Sequence, residues 1–222
     1  MTKHLMSQFD ADLLDIRTRL LEMGGKVEKM IADAIKSLVE RDSELAARTI
    51  DYDYEINRLE VEIDERCLEV LALRQPTAGD LRFITLAMKI VTHLERIGDK
   101  SRNIARRVRE LNELSPFESH IDLLRMADLA AVMVSDALDA FVRLDYQLAC
   151  AVCTRENEVD LLNEQFQREL VTFMSDHPET ITRFIKISAV VRALERIADH
   201  ATNIAEMVIF MVKGKDVRHL VQ

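Results

Sequence analysis

Two stretches of this chain set carboxylates and an amide one helical turn apart. Glu95, Asp99 and Asn103 stand at i, i+4 and i+8, and Glu195, Asp199 and Asn203 repeat the pattern one hundred residues later. Across the twelve residues from Leu94 to Ala105 and from Leu194 to Ala205, eight are identical, and the four changes spare the acids and the Asn. Oxygen donors at this spacing suit a hard divalent or trivalent cation. The commoner reading of acids on a helix is a solvated charged face. Against it, like charges at i, i+4 weaken a helix by a few tenths of a kcal/mol. Both copies nevertheless keep that arrangement.

The copies differ in charge. Arg102 and Arg106 follow the first set of acids, whereas Thr202 and Glu206 take those positions in the second. Preceding helices also align. Val39-Glu40-Arg41-Asp42 parallels Val142-Arg143-Leu144-Asp145, which sets Asp53 and Asn57 opposite Glu156 and Asp160. Uncompensated carboxylates near one another need protons or a cation. The second set is therefore the stronger metal candidate. At about 100° per residue, Ile90, Leu94, Ile97, Ser101 and Ile104 share one side of their helix, and Glu95, Asp99 and Asn103 lie opposite. That geometry predicts a stripe pointing away from the core of its own bundle. His200, about 100° from Asp199, reads as a solvated surface residue.

Long helices must carry these stripes. Leu13, Ile16, Leu20, Met23, Val27, Met30, Ile31, Ala34 and Leu38 recur at threes and fours. Gly24-Gly25 interrupt them at about 1 kcal/mol each relative to Ala, which predicts a bend rather than a stop. Asp42 or Ser43 caps a second helix to about Leu73, and Gln75-Pro76-Thr77 breaks it. Thr77 caps a third helix to about Leu114, and Leu114-Ser115-Pro116 separates two units, 1–114 and 117–222. The second unit repeats the plan. One helix spans about 118–144, and a second, opened by Asp145, runs to about Ser175. After His177-Pro178 a third covers Ile181 to about Val212, with Gly214 as its C-cap and Lys213, Lys215 and Arg218 near its negative end. Three long helices with short connections form an antiparallel bundle, so the expected fold is all-α, two tandem three-helix bundles related by internal duplication.

Composition agrees and excludes several functions. Five Gly, three Pro and no Trp among 222 residues describe a helical protein, and 48% hydrophobic with 31% charged residues suits soluble amphipathic helices. A net charge of −9 argues against nucleic-acid binding. No apolar run approaches the roughly 18–20 residues that span a bilayer, and no secretory signal is visible, so a cytoplasmic protein is expected. Three Cys make no disulfide framework. Cys150-x-x-Cys153 aligns with Ala47 and Ile50, so these thiols and Cys67 read as small buried hydrophobes. None of the six His has a Glu three residues before it, which removes the di-iron helical motif. Phosphate-cradling loops and nucleophile elbows are also missing, and no enzyme is expected.

The doubled Leu-Glu-Arg-Ile-x-Asp, the turn Arg74-Gln75-Pro76-Thr77-Ala78-Gly79-Asp80-Leu81-Arg82 and Met23-Gly24-Gly25 closely resemble the PhoU family from about Phe9 to His219. The resemblance implies the same two-bundle fold. It implies metal (Mg, Mn, Fe or Zn) held by Glu95/Asp99 with Asp53/Asn57 and by Glu195/Asp199 with Glu156/Asp160, with Asn103 and Asn203 completing the stripes. Asn57 departs from the acidic pattern. It further implies negative regulation of phosphate homeostasis and signal transduction, through a PstB-type ATPase of the PstSCAB phosphate transporter and a PhoR-type sensor histidine kinase. Homodimers, and attachment to the inner membrane through these partners rather than by insertion, belong to the same expectation. A metal-free adaptor docking a basic partner is the main alternative, and a small metalloenzyme comes third.

Overall fold

A computed structural model of the chain describes residues 2–114 and 123–213. Among them the elements are six α-helices and one 3₁₀ turn: α1 Thr2–Glu40, α2 Ser43–Leu73, α3 Ala78–Asn112, α4 Leu123–Arg143, α5 Tyr146–Asp176, the turn Pro178–Thr180 and α6 Ile181–Lys213. The expected unit boundary at Ser115-Pro116, the expected helix start at Glu118, and Gly214, Lys215 and Arg218 lie outside the described residues.

Local chemistry sets the helix ends, and it is duplicated. Asp42 and Asp145 are N-caps with φ/ψ of −86°/97° and −85°/98°. Asp42 accepts from the N–H groups of Glu44 and Leu45, and Asp145 from those of Gln147 and Leu148, satisfying donors that a helix start leaves unpaired. The residue before each cap is left-handed, Arg41 at φ 55° and Leu144 at φ 54°. Asp42 N–H then donates to Ser37 C=O at 3.0 Å and Asp145 N–H to Ala140 C=O at 2.9 Å, closing α1 and α4 in the same way. Arg41 does more: its guanidinium donates to the carbonyls of Leu111, Asn112 and Leu114, pinning the end of α3 to the α1–α2 turn. Thr77 holds the N-cap position of α3, but its hydroxyl donates to the Asp80 carboxylate instead of capping the backbone.

In the first triplet α1 packs on α2 and α3; in the second, α4 packs on α5 and α6. The triplets join where α3 meets α6 and where α1 meets α4. Glu110 pairs with Lys186 and His93 meets His200, so α3 and α6 run antiparallel and cross near their repeated Leu-Glu-Arg-Ile segments. One continuous apolar core fills both triplets, from Ile16 and Leu20 of α1 to Ile204 and Val208 of α6.

The Gly24-Gly25 pair does not break α1, which passes through it. The two glycines differ in surroundings. A Cβ on Gly24 would stand 2.6 Å from Cδ1 of Leu138, so its bare backbone lets α1 approach α4 closely. Nothing lies within 4 Å of a Cβ on Gly25, which is exposed. G25A should stabilise the protein by about 0.5–1 kcal/mol through helix propensity, whereas G24A should bring no such gain. Urea midpoints of the two variants check this, and equal shifts would refute the assignment.

Candidate functional site

The acidic stripes lie in the grooves between α2 and α3 and between α5 and α6. They stay off the apolar core, as expected, but neighbouring helices of the same triplet enclose them rather than open solvent. Asp53 is only 5% exposed, and Glu95, Asp99, Glu156, Glu195 and Asp199 are half-buried. A second helix packs over the face that a single-helix projection leaves to solvent.

In the first groove Arg102 reaches across to Asp53 and also holds Asp99 at 2.6 Å. Asn57 donates its amide to Asp53 at 3.2 Å. Arg96, mostly exposed, stands 3.3 Å from Glu95 and 3.8 Å from Asp99. Sequence reasoning missed two further members, Glu60 and Asp64. The signal was available: Asp53, Asn57, Glu60 and Asp64 fall at i, i+4, i+7 and i+11, one continuous stripe on α2. Burial, and then the charges of Glu95 and Asp64, push the Glu60 carboxyl up. Burial raises Asp64 as well. Glu95 is raised by burial first and then by Asp99. Four buried oxygens here, Asp53 Oδ1, Asn57 Oδ1, Asp64 Oδ1 and Glu95 Oε2, accept no hydrogen bond. A buried donor, Arg102 Nε, is also without a partner, so the groove's polar groups are incompletely matched. Arg106, expected beside these acids, lines a different cleft between α3 and α6, as does Asn103.

The second groove has fewer cations. Glu156 is pushed up to about 7 by burial and then by the charges of Asp199, Asp160 and Glu206. Asp160 is raised by burial, Asp199 and Glu164. Arg196 binds Asp199 at 2.7 Å from an exposed position, where an ion pair contributes little. Asn203 spends its amide N–H on the Asp199 carbonyl at 2.6 Å. Glu195 is half-buried, and its charge acts on Arg196. Glu156, Asp160 and Asp199 thus meet electrostatically, as the sequence predicts. Among the described residues, no three Asp, Glu, His or Cys side chains converge closely enough to chelate one ion as they stand. The donor chemistry suits a hard cation in both grooves, and holding one requires side-chain rotation.

His200 is not a solvated surface residue. It packs half-buried against His93, Nδ1 to Nδ1 at 3.2 Å, and its pKa falls to about 4 through burial, His93 and the cations Lys100, Arg96 and Arg196. The antiparallel crossing of α3 and α6 brings the pair together, a relation invisible within either helix. Cys67 and Cys153 are buried, with thiols pushed up to about 12 by that burial, as expected of small apolar side chains.

The PhoU domain model matches twice, over residues 20–108 and 123–208, each match covering one triplet. The chain belongs to the PhoU family. It is 45% identical over 222 residues to the phosphate-specific transport system accessory protein PhoU homolog of Pseudomonas putida, covering 99% of this chain and 86% of that one. It is 38% identical over 220 residues to the phosphate-specific transport system accessory protein PhoU of Escherichia coli K12, covering 99% and 91%. The crystal structure of PhoU from Pseudomonas aeruginosa matches with a TM-score of 0.90 at 44% identity, covering 93% of this chain and 100% of that one. The Streptococcus pneumoniae phosphate transport system regulatory protein PhoU matches at 0.88 and 28%, covering 94% and 99%. The PhoU fold of duplicated helical triplets is therefore the fold of this chain.

The raised Glu156 carboxyl sets a pH dependence. A carboxyl whose folded pKa exceeds its ordinary value contributes stability below about pH 4.5, and that stability is lost as pH rises through about 7. In metal-free protein, E156Q should remove this loss. Its stability relative to the unsubstituted chain should grow by about 1–2 kcal/mol between low and neutral pH, after discounting for solvent screening. Denaturant midpoints across that range test it, and parallel pH profiles would show that Glu156 titrates normally.

Proposed function

We propose that this PhoU-family chain restrains phosphate uptake and phosphate-regulon signalling when phosphate is abundant. It does so by protein–protein binding, linking the ATPase of a PstSCAB-type importer (PstB) to a PhoR-type sensor kinase. The observation that carries this reading is the full-length match to relatives named phosphate-specific transport system accessory proteins. No helix among the described residues is long and apolar enough to cross a membrane, which accords with attachment through partners. A homodimer in the cytoplasm completes the proposal.

A divalent or trivalent ion, of which Mg, Mn, Fe and Zn are the candidates, belongs to the same reading. Glu156, Asp160, Glu195, Asp199 and Asn203 would hold it in the second groove, and Asp53, Glu95 and Asp99 in the first, with Glu60 and Asp64 added from the structure. Bound there, a cation neutralises crowded carboxylates and ties two helices together. The four buried oxygens of the first groove that accept no hydrogen bond and the raised carboxyl of the second support this. A specific observation favours the metal-free adaptor for the first groove: Arg102 already compensates Asp53 and Asp99 there. The second groove remains the stronger candidate, because among the described residues Glu156 and Asp160 have no ion pair with a cation and Asp199 pairs with the exposed Arg196.

Mn²⁺ or Mg²⁺ should raise the melting temperature at neutral pH, and E156A/D160A should lose most of that rise. Calorimetric titration and elemental analysis of the purified protein check it, and no micromolar site would favour the adaptor. In cells lacking their own PhoU, this chain should restore repression of alkaline phosphatase at high phosphate. E95A/D99A/E195A/D199A should keep its helical circular dichroism and lose repression. Full repression by that variant would remove the metal from the regulatory mechanism.

A further inference from the structure

A cleft of about 470 Å³ opens between α3 and α6, apart from both acidic grooves. Lys100, Arg106 and Arg107 line one wall, and Arg192 and Arg196 the other. In a chain of net charge −9 this is a local reversal of sign. Its acid, Glu110, is already shared between Lys186 and Arg107. Lys100, Arg106 and Arg192 have no ion-pair partner among the described residues. Arg107 pairs with Glu110 and Arg196 with Asp199, which leaves three uncompensated cations around one concavity that repel unless an anion lies between them.

The duplication supplies an internal control. Because α3 and α6 cross antiparallel at equivalent segments, the opposite end of the crossing is built from the same positions of the repeat. There Lys100, Arg106, Arg107 and Arg192 are replaced by His200, Glu206, Met207 and Thr92, and only Arg196 keeps its charge, as Arg96. The fold therefore does not require a basic cleft at this crossing. One end carries it and the other does not.

We propose that this cleft binds an oligophosphate, an anion with two or three linked phosphoryl groups, either free or as the phosphate chain of a nucleotide. Guanidinium groups present paired N–H donors matched to phosphoryl oxygens, and here they come from both walls. Each phosphoryl group brings roughly one to two negative charges, so a linked pair or trio matches the cationic surplus better than orthophosphate does. The volume falls within the range of small-molecule sites, roughly 300–1,000 Å³. The site adjoins the second acidic groove through Arg196, which also pairs with Asp199, while Lys100, Arg106 and Arg192 belong to the cleft.

Calorimetric titration in EDTA, which keeps metal from recruiting phosphate to the acids, tests the proposal with tripolyphosphate, ATP and orthophosphate. Tripolyphosphate and ATP should bind one per chain, at least tenfold more tightly than orthophosphate. Equal affinity of the two assigns the site to the phosphate chain alone, and tenfold tighter ATP assigns it to a nucleotide; both uphold the proposal. R106E/R192T, which installs the residues of the opposite end, should weaken binding at least tenfold with an unchanged melting temperature. R106Q/R192Q provides the same readout if the first variant folds poorly. Absence of binding at millimolar ligand, equal binding of orthophosphate, or unweakened binding by the folded double variant would overturn it.

Discussion

The antiparallel packing of α3 on α6 organises the molecule. These two helices carry the repeated segment, run through the continuous apolar core, and each has a packing partner on several sides. Three kinds of polar site follow from this one arrangement. The outer flank of each central helix meets α2 or α5 and forms an acidic groove. One end of the crossing brings His93 to His200, and the other end forms the basic cleft. Moving the crossing by a turn would dismantle the histidine pair and the cleft together, because both depend on which residues of one copy face which residues of the other.

Charge is sorted accordingly. Carboxylates collect in the outer grooves and cations at one end of the α3–α6 crossing, although their sequence positions interleave along α3. Glu95, Asp99 and Arg102 turn toward α2, while Lys100, Arg106 and Arg107 line the wall against α6. Partial burial strengthens each interaction relative to water. It also makes incomplete pairing expensive, and the raised carboxyls and unpaired oxygens record that expense. Arg102 in one groove and Thr202 in the other show how the duplicated halves met the same problem differently.

Most of the architecture was legible because helix ends are decided locally. Asp42 and Asp145 cap as their side chains dictate, and proline and periodicity mark the remaining bounds. The environment of the stripes was less legible. A helical projection divides residues between one core and water, whereas α3 is flanked by α1, α2 and α6. The partial burial of the acids was therefore not foreseen, Arg106 was assigned to the wrong groove, and His200 was placed in water when it packs on His93. Glu60 and Asp64 lay outside the aligned motif, although the period of α2 already put them on the same stripe as Asp53.

The continuous core has a further consequence. The two triplets share apolar contacts across α3–α6 and α1–α4, so neither half can open alone without exposing the other's interior. Such a chain exchanges its buried amides through a largely common opening rather than repeat by repeat. Occupancy of either groove then slows exchange in both halves, and sites that never touch become linked through the shared cost of unfolding.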